Sequence, residues 1–204
     1  MKKLALLAAT ALLTTTAHAG ITQVFNVGAL GSGPLKVENF EDGTFVSGIS
    51  FTAPNGIQRM SSSSASGGVT TSGTMGLTTN MYGQAITMNF STPASAIGLY
   101  FGNDDRCCSS GFTAYMDIFG TAGLLGTIGV AANMNDYVDQ FLGFTSDQDV
   151  TRVTLRYGSG NVGLYHFIDD VTFGAAPSKI PEPTTLSMMA VALAGLGIAR
   201  RKKA

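Results

Sequence analysis

Period-two alternation of apolar and polar residues runs through the middle of this chain and restricts its fold more than any other feature. In Gln84–Phe90, Ile86, Met88 and Phe90 share one face while Thr87 and Asn89 take the other. Ala96–Phe101 repeats the pattern with Ile97, Leu99 and Phe101. Phe112–Phe119 groups Phe112, Ala114, Met116 and Ile118 opposite Thr113, Tyr115 and Asp117. Val150–Tyr157 sets Val153, Leu155 and Tyr157 against Arg152, Thr154 and Arg156. Half-buried strands produce such alternation, because successive side chains point to opposite faces of a sheet. Leu35–Phe40, Phe45–Thr52, Ile57–Met60, Leu124–Val130, Gln140–Thr145 and Tyr165–Phe173 complete the strand candidates.

Turn signals separate these segments: Glu41-Asp42-Gly43, Pro54-Asn55-Gly56, Thr92-Pro93, Gly120 to Gly123 and Gly158 to Gly163. The 24 glycines of residues 20–180 supply the positive-φ positions that tight turns need. No segment of that span holds a helical period for three turns. About ten strands at this spacing predict an all-β, antiparallel β-sandwich of jelly-roll type. Ser61 to Gly76 is polar and low in complexity, and reads as a long loop or a poor edge strand.

The two ends of the chain have different grammars. Lys2 and Lys3 precede an apolar run, Leu4 to Leu13, broken only by Thr10, and Ala17-His18-Ala19 is a small-x-small cleavage site before Gly20. The run is too short for a stable membrane span, which needs about 20 residues. Residues 1–19 are therefore expected to be a signal peptide removed by signal peptidase, with Ala17, Ala19 and Gly20 at the cut. At the other end, Pro181-Glu182-Pro183 precedes the mostly apolar Leu186 to Ala199, and Arg200, Arg201, Lys202 and Lys203 follow. Fourteen helical residues reach about 21 Å, short of the roughly 30 Å hydrocarbon core, so local thinning or snorkelling would be needed. The four cations belong on the cytoplasmic side, which leaves the body outside, in agreement with the N-terminal signal.

These C-terminal residues resemble the PEP-CTERM sorting signal of Gram-negative bacteria. The resemblance implies recognition by exosortase, a membrane transpeptidase acting near Pro181-Glu182-Pro183, after transient anchoring in the inner membrane by a short hydrophobic helix. It also implies a destination at the cell surface or in an extracellular matrix of exopolysaccharide and biofilm. The mixed arginines and lysines depart slightly from an all-arginine end. The expected organisation is thus signal peptide 1–19, β-sandwich 20–174, linker 175–180 and sorting segment 181–204. Asn39-Phe40-Glu41, Ala96 to Phe101, Phe141 to Phe144 and Ile168 to Val171 resemble the sandwich bodies common among such proteins, a pattern shared with carbohydrate-binding jelly rolls. This supports the fold more than any function.

Charge narrows the function further. Residues 20–180 carry six Lys/Arg against twelve Asp/Glu, a net −6 that the cationic ends mask in the whole-chain value of −1. An acidic body with scattered cations excludes nucleic acid as a partner, since that needs a basic stripe. The two cysteines, Cys107 and Cys108, are adjacent. In an oxidising compartment they admit a strained vicinal disulfide, intermolecular bridges or free thiols, and they do not complete a zinc tetrahedron.

Strict alternation in Tyr165–Phe173 groups Phe167, Asp169, Val171 and Phe173 on one face and His166, Ile168, Asp170 and Thr172 on the other, so either way one carboxylate shares a face with apolar neighbours. A carboxylate there must be paired, hydrogen-bonded or metal-bound. Calcium, which takes six to eight oxygens, would satisfy it if Glu38, Glu41 or Asp42 lay beside the last strand. The alternative is capping by backbone N–H groups, Arg152 or Arg156. Asn103-Asp104-Asp105-Arg106 is a second oxygen-rich cluster, read as a polar turn that could also meet calcium or a sugar. Catalysis finds little support: His166 is the one histidine left after signal removal and reads as a strand residue with a satisfied ring, and no nucleophile elbow is present.

Three functions from different classes follow. The first is a non-catalytic structural or adhesive matrix protein. The second is a carbohydrate-binding module using Tyr82, Tyr100, Tyr115 or Tyr165, weakened by the absence of Trp. The third, a polysaccharide hydrolase with paired carboxylates, has nothing to select its pair.

Overall fold

The structure, a computed structural model, describes residues 20–65, 69–102, 113–133, 135, 137–157 and 166–175. Among the described residues there are ten strands: β1 (Ile21–Val24), β2 (Leu35–Glu38), β3 (Ile49–Thr52), β4 (Ile57–Ser61), β5 (Met75–Thr79), β6 (Ile86–Gly102), β7 (Thr113–Gly120), β8 (Gly123–Ala131), β9 (Gln140–Tyr157) and β10 (Phe167–Gly174). A single helical turn, α1 (Ser62–Ala65), follows β4, and a 3₁₀ turn spans Val27–Leu30.

Two long strands organise the rest. β6 and β9 run antiparallel along their whole length and bend together, so each serves both layers of an antiparallel β-sandwich. Layer one contains the C-terminal half of β6 and the N-terminal half of β9, flanked by β10 and β1. Beyond β10 lie β2, paired with Val171–Gly174, and β5, paired with Phe167–Ile168, and β4 follows β5. Layer two contains the other halves of β6 and β9, with β3 on one side and β7 then β8 on the other.

The bend has a clear chemical origin. Ser91, Thr92 and Pro93 are exposed, the β6–β9 register shifts between Asn89 and Ala96, and Pro93 has no N–H to give a ladder. Inward residues change parity across it, from Ile86, Met88 and Phe90 to Ile97, Leu99 and Phe101, all of them in the core. Thr92-Pro93, expected as a turn between strands, is therefore a bulge inside one strand. Gln140–Thr145 and Val150–Tyr157 are likewise halves of a single strand, bent at the exposed Asp147 to Asp149.

Other expectations shift at their edges. Leu35–Phe40 ends as a strand at Glu38, and Phe45–Thr52 begins as one at Ile49. Ser61–Gly76, expected as a loop or poor edge, holds α1 and the start of β5. β1 and β5 went unread in the sequence. Between β1 and β2 the chain crosses the outer face of layer one, where Leu30 is fully buried near Gly98. The sandwich interior is filled by Leu99, Phe101, Met116, Ile118, Phe144, Val153 and Leu155, among others. Phe40 joins it with an edge-on contact to Phe51 at 5.4 Å.

Candidate functional site

The acidic residues expected around a calcium ion lie at one edge of layer one, where β2 and β10 pair Glu38 with Val171. Each is occupied by hydrogen-bond donors. Glu38, 1% exposed, accepts from the N–H groups of Phe40 and Val46, both at 2.6 Å. That grip holds Phe40 in the left-handed region, φ 62°, with its side chain fully buried. The Phe40 carbonyl in turn accepts from the Arg59 guanidinium. Glu41 accepts from Thr74 N–H (2.8 Å) and Met75 N–H (2.6 Å). Asp42 caps its own turn through Thr44 N–H at 2.9 Å, which holds its carboxyl below the usual range.

Asp169 and Asp170 clasp the other side of the same loop. Asp169 is fully buried and accepts from Ser72 N–H, Thr71 Oγ1 and Asp170 N–H, at 2.9, 2.9 and 2.7 Å. Asp170 accepts from Ser72 Oγ at 2.8 Å. Burial pushes the Asp169 carboxyl up to about 6, against the Ser72 N–H and with help from the Asp170 charge. Asp170 sits at φ 46° in a bulge, because Asp169 pairs with Tyr100 while Thr172 pairs with Gly98. The expected grouping of Phe167, Asp169, Val171 and Phe173 is thereby corrected. Ile168, Val171 and Phe173 face the core, and Asp169 lies on the other side.

Backbone N–H groups, not Arg152 or Arg156, thus satisfy the buried carboxylate. Glu38, Glu41, Asp42, Asp169 and Asp170 do not converge on a point. No group of three His, Cys, Asp or Glu among the described residues could hold a metal ion.

His166 stands just before β10 and is 1% exposed. Its Nε2 accepts from Tyr157 N–H at 2.9 Å and its ring lies 4.1 Å from the Tyr157 ring, but its Nδ1 is buried without a partner among the described residues. The ring expected to be satisfied is so on one side only. Burial lowers it to about 3, so it stays neutral at physiological pH and is a poor proton carrier.

The outer face of layer two is a different surface, one that sequence reasoning missed. Register places Tyr115 opposite Arg156, Asp117 opposite Thr154 and Phe119 opposite Arg152. The Arg156 guanidinium stacks on Tyr115, 4.6 Å from the ring centre, and that of Arg152 stacks on Phe119 at 4.1 Å. Arg156 also grips Asp117 through two bonds, Nε to Oδ2 at 2.6 Å and Nη2 to Oδ1 at 3.1 Å. This pair lowers the Asp117 carboxyl and raises the Arg156 guanidinium. Thr127 Oγ1 also donates to Asp117, at 2.7 Å. A usable signal was present, since Tyr115, Asp117 and Phe119 share the spacing of Arg152, Thr154 and Arg156; only the register joins them.

Of the tyrosines expected to meet sugars, Tyr82 is 60% exposed, Tyr100 rests edge-on against Phe141, and Tyr115 lies beneath Arg156. Tyr165, Asn103 to Arg106, Cys107, Cys108, Ala17, Ala19, Pro181 to Pro183 and Arg200 to Lys203 lie outside the described residues. Gly20 opens the described body, with its N–H on Asp147 Oδ1 at 2.8 Å. No helix among the described residues is long and apolar enough to cross a membrane.

Sandwich and tail together define an exported β-sandwich protein with a sorting segment. More particularly, residues 179–203 match the PEP-CTERM protein-sorting motif, which marks the chain for export, transient membrane anchoring and processing by exosortase. No curated protein matches the chain. Among solved structures, the K2 cleaved adhesin domain of Lys-gingipain is similar at 13% identity and TM-score 0.47, covering 70% of this chain and 98% of that one. The CBM22-1 xylan-binding domain from Paenibacillus barcinonensis Xyn10C is similar at 11% identity and TM-score 0.44, covering 72% and 98%. TmCBM61, solved with β-1,4-galactotriose, is similar at 12% identity and TM-score 0.41, covering 67% and 94%. These are loose likenesses, and the sandwich assignment rests on the strand pairings above.

Proposed function

We propose that this chain is a non-catalytic structural or adhesive protein of the cell surface or extracellular matrix, delivered there by its sorting tail. The observation that carries the reading is the sorting motif at residues 179–203, which follows shortly after β10, the last strand of the body. The chemistry of the acidic edge agrees with it. The buried carboxylates Glu38 and Asp169 spend their acceptor capacity on backbone N–H groups and hold loops in place. A polysaccharide hydrolase would need two carboxyls facing each other across a cleft.

Deletion of Pro181 to Ala204 tests the sorting. The truncated protein is expected to lose surface location and tail processing, as read by cell fractionation and intact mass. Unchanged location and processing would refute the reading. The intact mass also reports cleavage before Gly20 and whether Cys107 and Cys108 are joined.

A carbohydrate-binding role for the same body is the second reading. The observation favouring it is the outer face of layer two, where aromatic rings, arginines, hydroxyls and an amide are laid out on one sheet.

A further inference from the structure

The two arginines on the outer face of layer two are built alike but finished differently. Each stands opposite an aromatic residue of β7 and stacks its guanidinium on that ring. Stacking uses the face of the guanidinium and leaves the N–H groups at its edge free for an acceptor in the same plane. On Arg156 that edge is filled by the Asp117 carboxylate. Asp117 lies between the two arginines in register, opposite Thr154, yet of the two guanidiniums its carboxylate bonds that of Arg156 alone. Among the described residues nothing accepts from the Arg152 guanidinium, which is held by the Phe119 ring alone. The molecule thus carries one filled guanidinium fork and, four residues along the same strand, one open fork of the same construction.

The neighbours of the open fork extend it into a row. Arg152 pairs across the sheet with Asn89 of β6, and Asn89 with Ser50 of β3. Asn89 is half-buried and Ser50 exposed, and neither side chain has a hydrogen-bond partner among the described residues. From Phe119 to Ser50 the row crosses four strands, about 14 Å at the usual strand spacing. It offers a two-pronged carboxylate receptor followed by an amide and a hydroxyl, which suit the hydroxyls of a sugar. On this face, Arg152 and Arg156 outweigh Asp117 by one positive charge, although the body as a whole is acidic. The nearest carboxylates along the chain, Asp147 and Asp149, stand at the bend of β9 beyond the row.

We propose that the open fork of Arg152, with Asn89 and Ser50 beside it, is a subsite for the carboxylate of an acidic sugar in a polysaccharide. The proposal rests on the carbohydrate-binding reading above and adds to it a ligand class and three residues. The stacked guanidinium is pre-oriented, so binding orders little that is not already held. Salt weakens the interaction, because the face is open to solvent.

Affinity electrophoresis of the exported protein through immobilised polygalacturonate, and through the same polymer methyl-esterified, tests this directly. Retention on the acid form is expected, with loss on the ester, which keeps the backbone and removes the charge. Arg152→Gln is expected to weaken retention about tenfold or more. Arg152→Lys should recover only part of it, since an ammonium cannot engage both oxygens. Asp117→Asn is expected to strengthen retention by releasing the Arg156 fork, a gain that misfolding cannot imitate. Denaturation midpoints matching the parent protein confirm that the variants are folded. Arg152→Gln bound as tightly as the parent, or equal retention on acid and ester, overturns the subsite and leaves carbohydrate binding elsewhere on the body. Retention on neither polymer nor on a neutral β-glucan overturns both.

Discussion

Replacing Glu38 by Gln removes one negative charge from a nearly enclosed position and leaves almost every atom in place. The carboxylate receives two N–H groups, from Phe40 and Val46, at 2.6 Å each. Hydrogen bonds to a charged acceptor contribute about 1.5–3 kcal/mol apiece, against about 1 for neutral pairs. The amide oxygen keeps one partner with a neutral bond, while its NH₂ group turns a donor toward the other N–H. Weakening of the first bond and loss of the second sum to roughly 2–5 kcal/mol. For a domain of this size that is a fall of about 6 to 15 °C in midpoint. The effect is concentrated because the same carboxylate holds Phe40 at φ 62°, a costly conformation for a bulky residue. Urea denaturation followed by far-UV circular dichroism suits a chain without Trp, and an unchanged slope would show that the folded state is intact. Asp42→Asn, an exposed cap of the same kind, is the control and should leave the midpoint within error. A Glu38→Gln protein as stable as its parent would falsify the assignment of Glu38 as the clasp of this loop.

Three further outcomes are expected. Between about pH 4 and 6, Asp169 and His166 act oppositely: Asp169 is raised from 3.8 to about 6, so folded protein holds the extra proton and stability falls as pH rises, whereas His166 is lowered from 6.5 to about 3, so unfolded protein holds it and stability rises with pH. Denaturation across pH 3.5 to 7 should therefore show a steeper acid loss in Asp169→Asn and the reverse slope in His166→Gln over that window; parallel profiles would contradict both assignments. Gly73→Ala should cost about 1–3 kcal/mol, since Gly73 lies at φ 49° and an added Cβ would meet the Glu41 carboxylate; protease nicking within residues 69–75 reads it. Calcium at millimolar level should not move the thermal midpoint, because backbone donors already occupy Glu38, Glu41 and Asp169; a rise that chelator reverses would reinstate a metal there.

Alternation made Gln84–Phe90, Phe112–Phe119 and Val150–Tyr157 readable as strands, because one face of each packs inward and the other meets water. β5 escaped because it has little such asymmetry: Thr78 and Thr79 are buried, and Gly76 lies against the Phe167 ring on the face opposite Leu77. β1 escaped because it is short and sends Gln23 to the Gly129 carbonyl at 3.0 Å, where a purely apolar pattern would place a hydrophobe. The acidic residues were recognised as needing partners, but Glu41 and Asp169 find theirs on backbone N–H groups of a loop distant in sequence, at Ser72, Thr74 and Met75, and composition is silent about those. Asp170 broke the period by taking a positive φ, which shifted the inward face from Ile168 to Val171. The stacked arginines depend on pairing β9 with β7 in one register among several, and a single strand carries no record of that choice.

The place where the chain leaves the body has a mechanical meaning. β10 is hydrogen-bonded along both edges, to β6 on one side and to β2 and β5 on the other, and the tail departs from its end. A pull transmitted through the tail therefore enters an inner strand and must break ladders on two flanks together, instead of peeling a margin one bond at a time. Tethering by the opposite terminus would load β1, which has β9 as its one partner among the described strands and can unzip. If the proposed surface attachment runs through the tail, the sturdier strand is the one under tension.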